Sequence, residues 1–430
     1  MALTPSLSIF RHRGYRHFWL GRQLVSASRQ MIAVAIGWQV YDLARETRSI
    51  EESAFLLGMV GLTQFLPVFL LSLVGGQAAD RFNRKIILVV STLARISAVV
   101  GLFFASGAPT HIALPSIFAA AAIMGCVNAF TPAAANALYP RLVPREELTQ
   151  AIAWNSLGFQ SAALLGPALG GFLYVGGPQV VYGVAALVNL AAVVSFAIMD
   201  APKHEPLKNA RSLAMIMDGL RYLRDNKIVL GAITLDLVVV FFGGVTALLP
   251  VFARDILHVG ALELGWLRAA PAMGAACVAY MLASRPFARH VGGWLLCAIA
   301  VYGAGLLGFA LSTVFWLSMA ALAITGAADM ISVFVRQSLI QLATPDAMRG
   351  RVSAVSFIFI SGSNELGEFE SGVAARILGP VGAVIMGAGV AIGAALTWPR
   401  LFPQLSKTDR FEDAAAPVTA QRGTDSTLTN

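Results

Sequence analysis

The sequence predicts an all-α membrane protein with twelve transmembrane helices in two pseudo-symmetric six-helix bundles. Three observations predict it. The residues are 57% hydrophobic and only 13% charged, with a mean hydropathy of +0.71, more apolar surface than a soluble chain can hide. Apolar runs of the ~20 residues that a bilayer core requires recur from end to end. Lys and Arg collect in alternate loops, the bias that orients helices in a membrane.

A basic arm, 1–15, opens the chain. It reads as uncleaved, because no small-residue cleavage site follows a short apolar core. The twelve helices are expected at 16–43, 54–78, 85–106, 112–138, 148–174, 180–199, 229–253, 262–283, 292–312, 315–340, 352–376 and 380–399. This divides the chain into an N-terminal bundle (16–199), a cytoplasmic linker (200–228), a C-terminal bundle (229–400) and a polar tail (401–430) expected to be disordered. With both termini in the cytoplasm, the inner segments hold 22 of the 31 Lys and Arg residues. The outer loops hold only Arg45, Arg48, Arg254 and Arg376, and an odd helix count would destroy that bias.

Composition also excludes classes. The net charge of +8 is spent on loop orientation, which argues against nucleic acid as a partner. Cys126, Cys277 and Cys297 lie inside apolar runs without metal spacing, and are expected as inert core residues. There is no GxxxxGK[ST] loop, no HExxH and no cysteine–histidine cluster, so neither an enzyme nor a metal or cofactor site is expected.

The linker carries Leu213, Ile216, Met217, Leu220 and Leu223 at helical spacing with charges elsewhere. This predicts an amphipathic helix on the membrane surface. Its alternative is an extended start to helix seven. The halves also look repeated. At an offset of 201 residues, Leu138 meets Leu339, Pro144 meets Pro345, Gly166 meets Gly367 and Gly171 meets Gly372, as a duplicated bundle predicts.

Gly75 to Lys85, GGQAADRFNRK, sets small residues and three cations between two apolar segments. Small residues let helix ends approach closely. An acid at this end of helix two, Asp80, can sit at the N-terminus of helix eleven near Ser353, where the helix dipole favours negative charge, with Arg141 beside it. Gly76, Asp80, Arg81, Arg84 and Lys85 resemble the loop signature of the major facilitator superfamily, with Asn83 where that family usually has glycine. In helix five, GPALGG (Gly166, Pro167, Gly170 and Gly171 among its residues) resembles the signature of the exporting antiporters in that superfamily. PRLVPREELTQA, TPDAMRGRVSAV and GSNELGEFESGVAARILG resemble its macrolide-efflux and enterobactin-exporter branch.

The resemblance implies a monomeric inner-membrane transporter whose helices one, four, seven and ten line a central cavity. It implies proton-coupled export of an amphipathic small molecule, a drug or siderophore, and a latch at Asp80 that closes when the cavity opens outward. An importer, a lipid flippase and a non-transporting membrane sensor or assembly partner remain the alternatives.

Polar residues inside helices are costly in hydrocarbon, so they face a cavity or a partner. Arg22, Ser26, Arg29 and Gln30 fall within about 100° of arc on helix one. Arg29, Gln30, Asn128 and Arg336 are the candidates for the substrate cavity. Asp236, Asp329, Glu365 and Glu368 are the candidates for proton coupling. Glu365 and Glu368 stand one turn apart, and two adjacent carboxylates ionise together only at a cost. Such a pair can take up and release a proton; the same acids could instead pair with arginines to hold the bundle together. Glu370 lies nearly opposite. Arg95 and Arg268 are expected to serve packing.

Overall fold

The computed structural model describes residues 7–202, 213–285, 287 and 289–411. Long helices dominate: α1 (Arg13–Arg45), α2 (Ile50–Arg81), α3 (Arg84–Ala105), α4 (Thr110–Leu138), α5 (Leu148–Tyr174) and α6 (Pro178–Ala197). The shorter α7 (Leu213–Asp225) precedes α8 (Lys227–Phe242), α9 (Leu249–Val251), α10 (Ala261–Ser284), α11 (Val291–Leu311), α12 (Phe315–Ala343), α13 (Asp346–Leu401) and α14 (Pro403–Ser406). No strand occurs among the described residues.

Ten of these stretches are long and apolar enough to cross a membrane. Two departures separate that number from the expected one. Helix α1 is not among the ten, as Arg22 and Arg29 dilute its apolar character. The last stretch, Gly362–Leu401, is 40 residues long, about twice one crossing. Gly379 breaks it with φ 76°, a left-handed conformation that only glycine adopts without strain. The outer surface is oily, with Phe104 74% and Trp316 70% exposed, while Ser28 and Asn189 are fully buried. Lipid tails are as apolar as leucine, so this inversion costs nothing in a bilayer.

Helix α1 packs against α5 and α6, α2 against α4, and α3 against α4 and α6. In the second half of the chain α8 packs against α13, α10 against α12, and α11 against α12 and α13. Two large contacts join the halves: α2 with α13, and α5 with α10.

Several expectations need correction. Helix seven was expected unbroken over 229–253. Instead α8 stops at Phe242, and the chain turns at Gly243 and Gly244 before a 3-10 turn (Val245–Leu248), α9 and a π-helical turn (Phe252–Ile256). The close approach of other backbones explains the break: a Cβ at Gly244 would stand 2.5 Å from the Gly367 carbonyl oxygen. Cys277 and Cys297 are exposed rather than in the core, because an apolar run in a membrane also has a lipid-facing side.

The tail was expected disordered from 401. Residues 401–411 instead pack on the protein, and 412–430 lie outside the described residues. The amphipathic helix expected in the linker is formed as α7 and packs on α13. Leu223 is 3% exposed, and Tyr222 OH donates to the Ala343 carbonyl at 2.6 Å. At the other end, the basic arm contains a 3-10 turn, Leu7–Arg11. Its Phe10 packs edge-on against Trp19 and Trp154.

Candidate functional site

Two buried hydrogen bonds fix the rotation of α1. Asn189 Nδ2 of α6 donates to Ser28 Oγ at 2.6 Å, and Tyr182 OH of α6 donates to Gln39 Oε1 at 2.7 Å. Ser28 and Gln39 stand about 20° apart around the helix, which leaves Arg29 roughly 100° away on a different side. Arg29 has exposed surface although it lies near the middle of α1, deep within the protein. A charge at that depth faces a cavity or a charged partner rather than lipid.

Glu365 and Glu368 of α13 are the acids within electrostatic reach of Arg29. Glu368 also senses Arg268 of α10, which in turn senses Arg29. Glycines let this region close. A Cβ at Gly61 of α2 would stand 3.3 Å from Glu368 Oε2, and one at Gly37 of α1 would stand 3.9 Å from Arg268 Nη1. Four charges from α1, α10 and α13 therefore share one region where the two halves of the chain meet. Arg268, expected to serve packing, belongs to it. Its sequence signal was a lone cation in an apolar helix, which indicates a partner without naming it.

Arg95 of α3, 2% exposed, lies within electrostatic reach of Arg29. Its Nη2 donates to Asn128 Oδ1 of α4 at 3.1 Å. Gln30 packs on α5: a Cβ at Gly166 would stand 2.6 Å from Gln30 Cβ. Asp236 and Arg336 are brought together as an ion pair between α8 and α12, with side chains 5% and 4% exposed. Asp329 stands apart from both groups. Its neighbour is Tyr302 of α11, whose OH donates to the Gly243 carbonyl at 3.2 Å, beside the break in helix seven. Glu370 shares a hydrogen bond with Ser371.

The glycines of GPALGG serve two contacts. Gly166 and Gly170 face α1, where a Cβ at Gly170 would stand 2.9 Å from Met31 Cα. Gly171 faces α10, where a Cβ would stand 2.9 Å from Gly265 Cα, and the Pro167 carbonyl oxygen lies 2.6 Å from a Cβ built at Gly265. The matched glycines of the second half behave alike. A Cβ at Gly367 would stand 2.8 Å from the Phe241 carbonyl oxygen of α8, and one at Gly372 would stand 2.7 Å from Gly58 Cα of α2.

In the loop signature, Asp80 is 6% exposed and lies within reach of Arg84, which also senses Arg141. Arg84 Nε donates to the Ala79 carbonyl at 3.0 Å, and Lys85 Nζ donates to that of Met199 at 2.8 Å. Arg81 is exposed. Gly76 has open space where a Cβ would stand. The Ser353 side chain, expected beside Asp80, lies outside the described residues.

One cluster escaped the sequence reading. Arg254 Nη1 donates to Asp42 Oδ1 at 2.5 Å, Tyr41 OH donates to Asp255, and Arg45 Nη2 lies 3.5 Å from Asp255 Oδ1. Arg376 lies over the Phe55 ring at 4.8 Å from its centre. These contacts join α1 to the π-helical turn and α2 to α13. A charge triplet ending helix one and an Arg–Asp pair ending helix seven were the available signals.

Solved structures share this architecture. A bacterial homologue of the iron transporter ferroportin, in an inward-facing state, superposes with a TM-score of 0.66 at 17% identity over 94% of this chain and 100% of that one. The peptide-transporter relative PepTSo gives 0.71 at 11% identity, over 92% and 98% of the two chains. The fold is that of a major facilitator transporter. The family model described as transmembrane secretion effector matches residues 4–422, and the chain belongs to that family. Curated relatives include the enterobactin exporters EntS of Citrobacter koseri and of Escherichia coli O127:H6. Each is 28% identical, over 384 and 387 residues respectively, and both alignments cover 88% of each chain.

Proposed function

We propose that this chain is a secondary active exporter, coupled to protons, that carries an amphipathic small molecule of the drug or siderophore kind out of the cell. The observation that carries the reading is the group of Arg29, Arg268, Glu365 and Glu368, within electrostatic reach of one another at the meeting of the two halves. Protonating one carboxylate there changes the charge balance between elements that must separate when the site opens. The driving force suffices, since one charge crossing 100 mV is worth about 2.3 kcal/mol. Export, rather than import, is supported by relatives named as enterobactin exporters.

Twelve spans in two six-helix bundles follow when α1 is counted and α13 is divided at Gly379. The repeated glycine contacts support two bundles. Gly171 meets Gly265 from the first half, and its match Gly372 meets Gly58 from the second. The bundles then rock about the central charges. With both termini cytoplasmic, Asp42 and Arg254 lie at the outer end and Asp80 at the inner end.

The test is flux in proteoliposomes with an imposed pH gradient. A fluorescent cationic dye and a catechol siderophore serve as solutes. Glu365→Gln and Asp329→Asn should each abolish gradient-driven flux while protein remains in the membrane. Unchanged flux in both removes the proton assignment, and flux that dissipates only in the opposite sense replaces export with import.

A further inference from the structure

The central charges do not balance. Three guanidinium groups, Arg29, Arg95 and Arg268, share the region with two carboxylates, Glu365 and Glu368. Both carboxylates stand on the side of Arg29 and Arg268. Arg95 has Arg29 as its charged neighbour, and among the described residues its side chain hydrogen-bonds to neutral Asn128. Its Nε and Nη1 are buried with no hydrogen-bond partner among the described residues. No Asp or Glu occurs in α3 or α4.

A buried guanidinium with two idle donors is expensive, because the charge has lost its water and gained no counter-charge. Snorkelling gives no relief, for Arg95 lies mid-helix at 2% exposure. Charged donors fixed in a plane suit an oxyanion, which accepts a short charge-assisted N–H bond from them. Arg29, whose side chain keeps exposed surface and lies within electrostatic reach of Arg95, can supply a second cation to the same guest.

We propose that Arg95 and Arg29, with Asn128 orienting Arg95, form a subsite for a carboxylate on the transported molecule. This rests on the exporter reading and narrows it, giving the cargo an acidic head as well as an apolar body. Asn128 takes Nη2 and leaves Nε or Nη1, on opposite sides of the guanidinium, to give the guest a single N–H bond. The acids on α13 stay with Arg29 and Arg268, so proton traffic and cargo recognition meet at Arg29. Binding an anion there draws Arg29 away from Glu365 and Glu368, which couples the two.

The experiment is equilibrium binding to the purified full-length chain in detergent, by calorimetry and thermal unfolding. The probes are benzoate, 2,3-dihydroxybenzoate, benzamide and sodium chloride. Benzoate and 2,3-dihydroxybenzoate are expected to bind at least roughly ten-fold more tightly than neutral benzamide, a difference of about 1.4 kcal/mol. Arg95→Gln should erase that preference and raise the unfolding temperature of the unliganded protein, since it removes an uncompensated charge. A merely structural arginine would lower it.

Asn128→Asp keeps the size of the side chain and supplies an internal counter-charge. It should also stabilise the unliganded protein and abolish benzoate binding, and it decides the matter if Arg95→Gln fails to fold. Equal binding of benzoate and benzamide, or a preference that survives Asn128→Asp, overturns the subsite. Chloride stabilising as strongly as benzoate overturns it as a cargo site, leaving an inorganic-anion site. Efflux of a neutral dye without anion preference rejects the subsite alone. Anion preference in a protein that moves no solute rejects the export reading alone.

Discussion

Arg254 Nη1 meets Asp42 Oδ1 at 2.5 Å, tying the last turns of α1 to the π-helical turn beyond α9. The two residues stand 212 positions apart in sequence, one in each half of the chain. Tyr41 and Arg45 converge on the neighbouring Asp255, so a single short segment is held from three positions, 41, 42 and 45, on one helix end.

Because this cluster spans the halves, it should be a gate contact rather than a fold contact. Arg254→Asp is expected to reduce efflux several-fold by setting like charges together, at a cost on the order of 1 kcal/mol for an exposed pair. The reversed pair, Asp42→Arg with Arg254→Asp, should restore flux. Failure of the double variant, with both proteins equally abundant, removes the gate assignment.

Gly171 and Gly265 give a second prediction. A methyl at Gly171 would strike the Ala261 carbonyl oxygen at 2.5 Å and Gly265 Cα at 2.9 Å, all backbone atoms that cannot turn aside. Gly171→Ala should hold α5 and α10 apart and lower transport by roughly ten-fold or more, a cost of the 1–3 kcal/mol typical of overpacking. By contrast Gly76→Ala meets nothing within 4 Å. It should leave transport within roughly two-fold of the parent and, in a helix, stabilise by about 0.5–1 kcal/mol. Flux normalised to membrane protein measures both.

Asp236 and Arg336 are a buried pair within the second half. Removing either partner alone leaves a naked charge, and Asp236→Ala or Arg336→Ala should destabilise by about 3–5 kcal/mol. Replacing both, Asp236→Leu with Arg336→Met, should recover most of that loss in thermal unfolding. A double variant as unstable as the singles would mean the pair has a further partner.

Glu370→Gln provides a contrast to Glu365→Gln. Glu370 bonds to Ser371 on its own helix and does not join the Arg29 group. It should leave the dependence of flux on the pH gradient unchanged, whereas Glu365→Gln should flatten it. Equal flattening in both would spread the coupling along α13.

The sequence made the helices and their crowded glycines legible because those signals are local. Hydropathy runs, a helical repeat and an offset of 201 residues need no partner to be read. Partnership was harder. Asp329 and Arg336 stood out as ionisable residues within one apolar helix, but Arg336 pairs with Asp236 of α8, and Asp329 sits near Tyr302 of α11. Arg95 and Arg268 read alike as lone cations in apolar helices. Only packing separates them, one beside Glu368 and one beside Asn128. The break at Gly243 and Gly244 was hidden because apolar composition continues through it.

The segment after α14 returns to the head of α11. The backbone N–H groups of Val291 and Gly292 donate to the carbonyls of Asp409 and Thr408 at 3.2 and 3.1 Å, and that of His290 donates to the Asp409 carboxylate at 3.0 Å. These are donors that a helix start leaves unsatisfied. Phe411 then stacks on Phe287 and meets Phe334 edge-on. For anyone making reporter fusions, the usable junction therefore begins after Phe411. A cut at Phe402 would strip the cap from α11 and weaken the protein at a point far from any cargo.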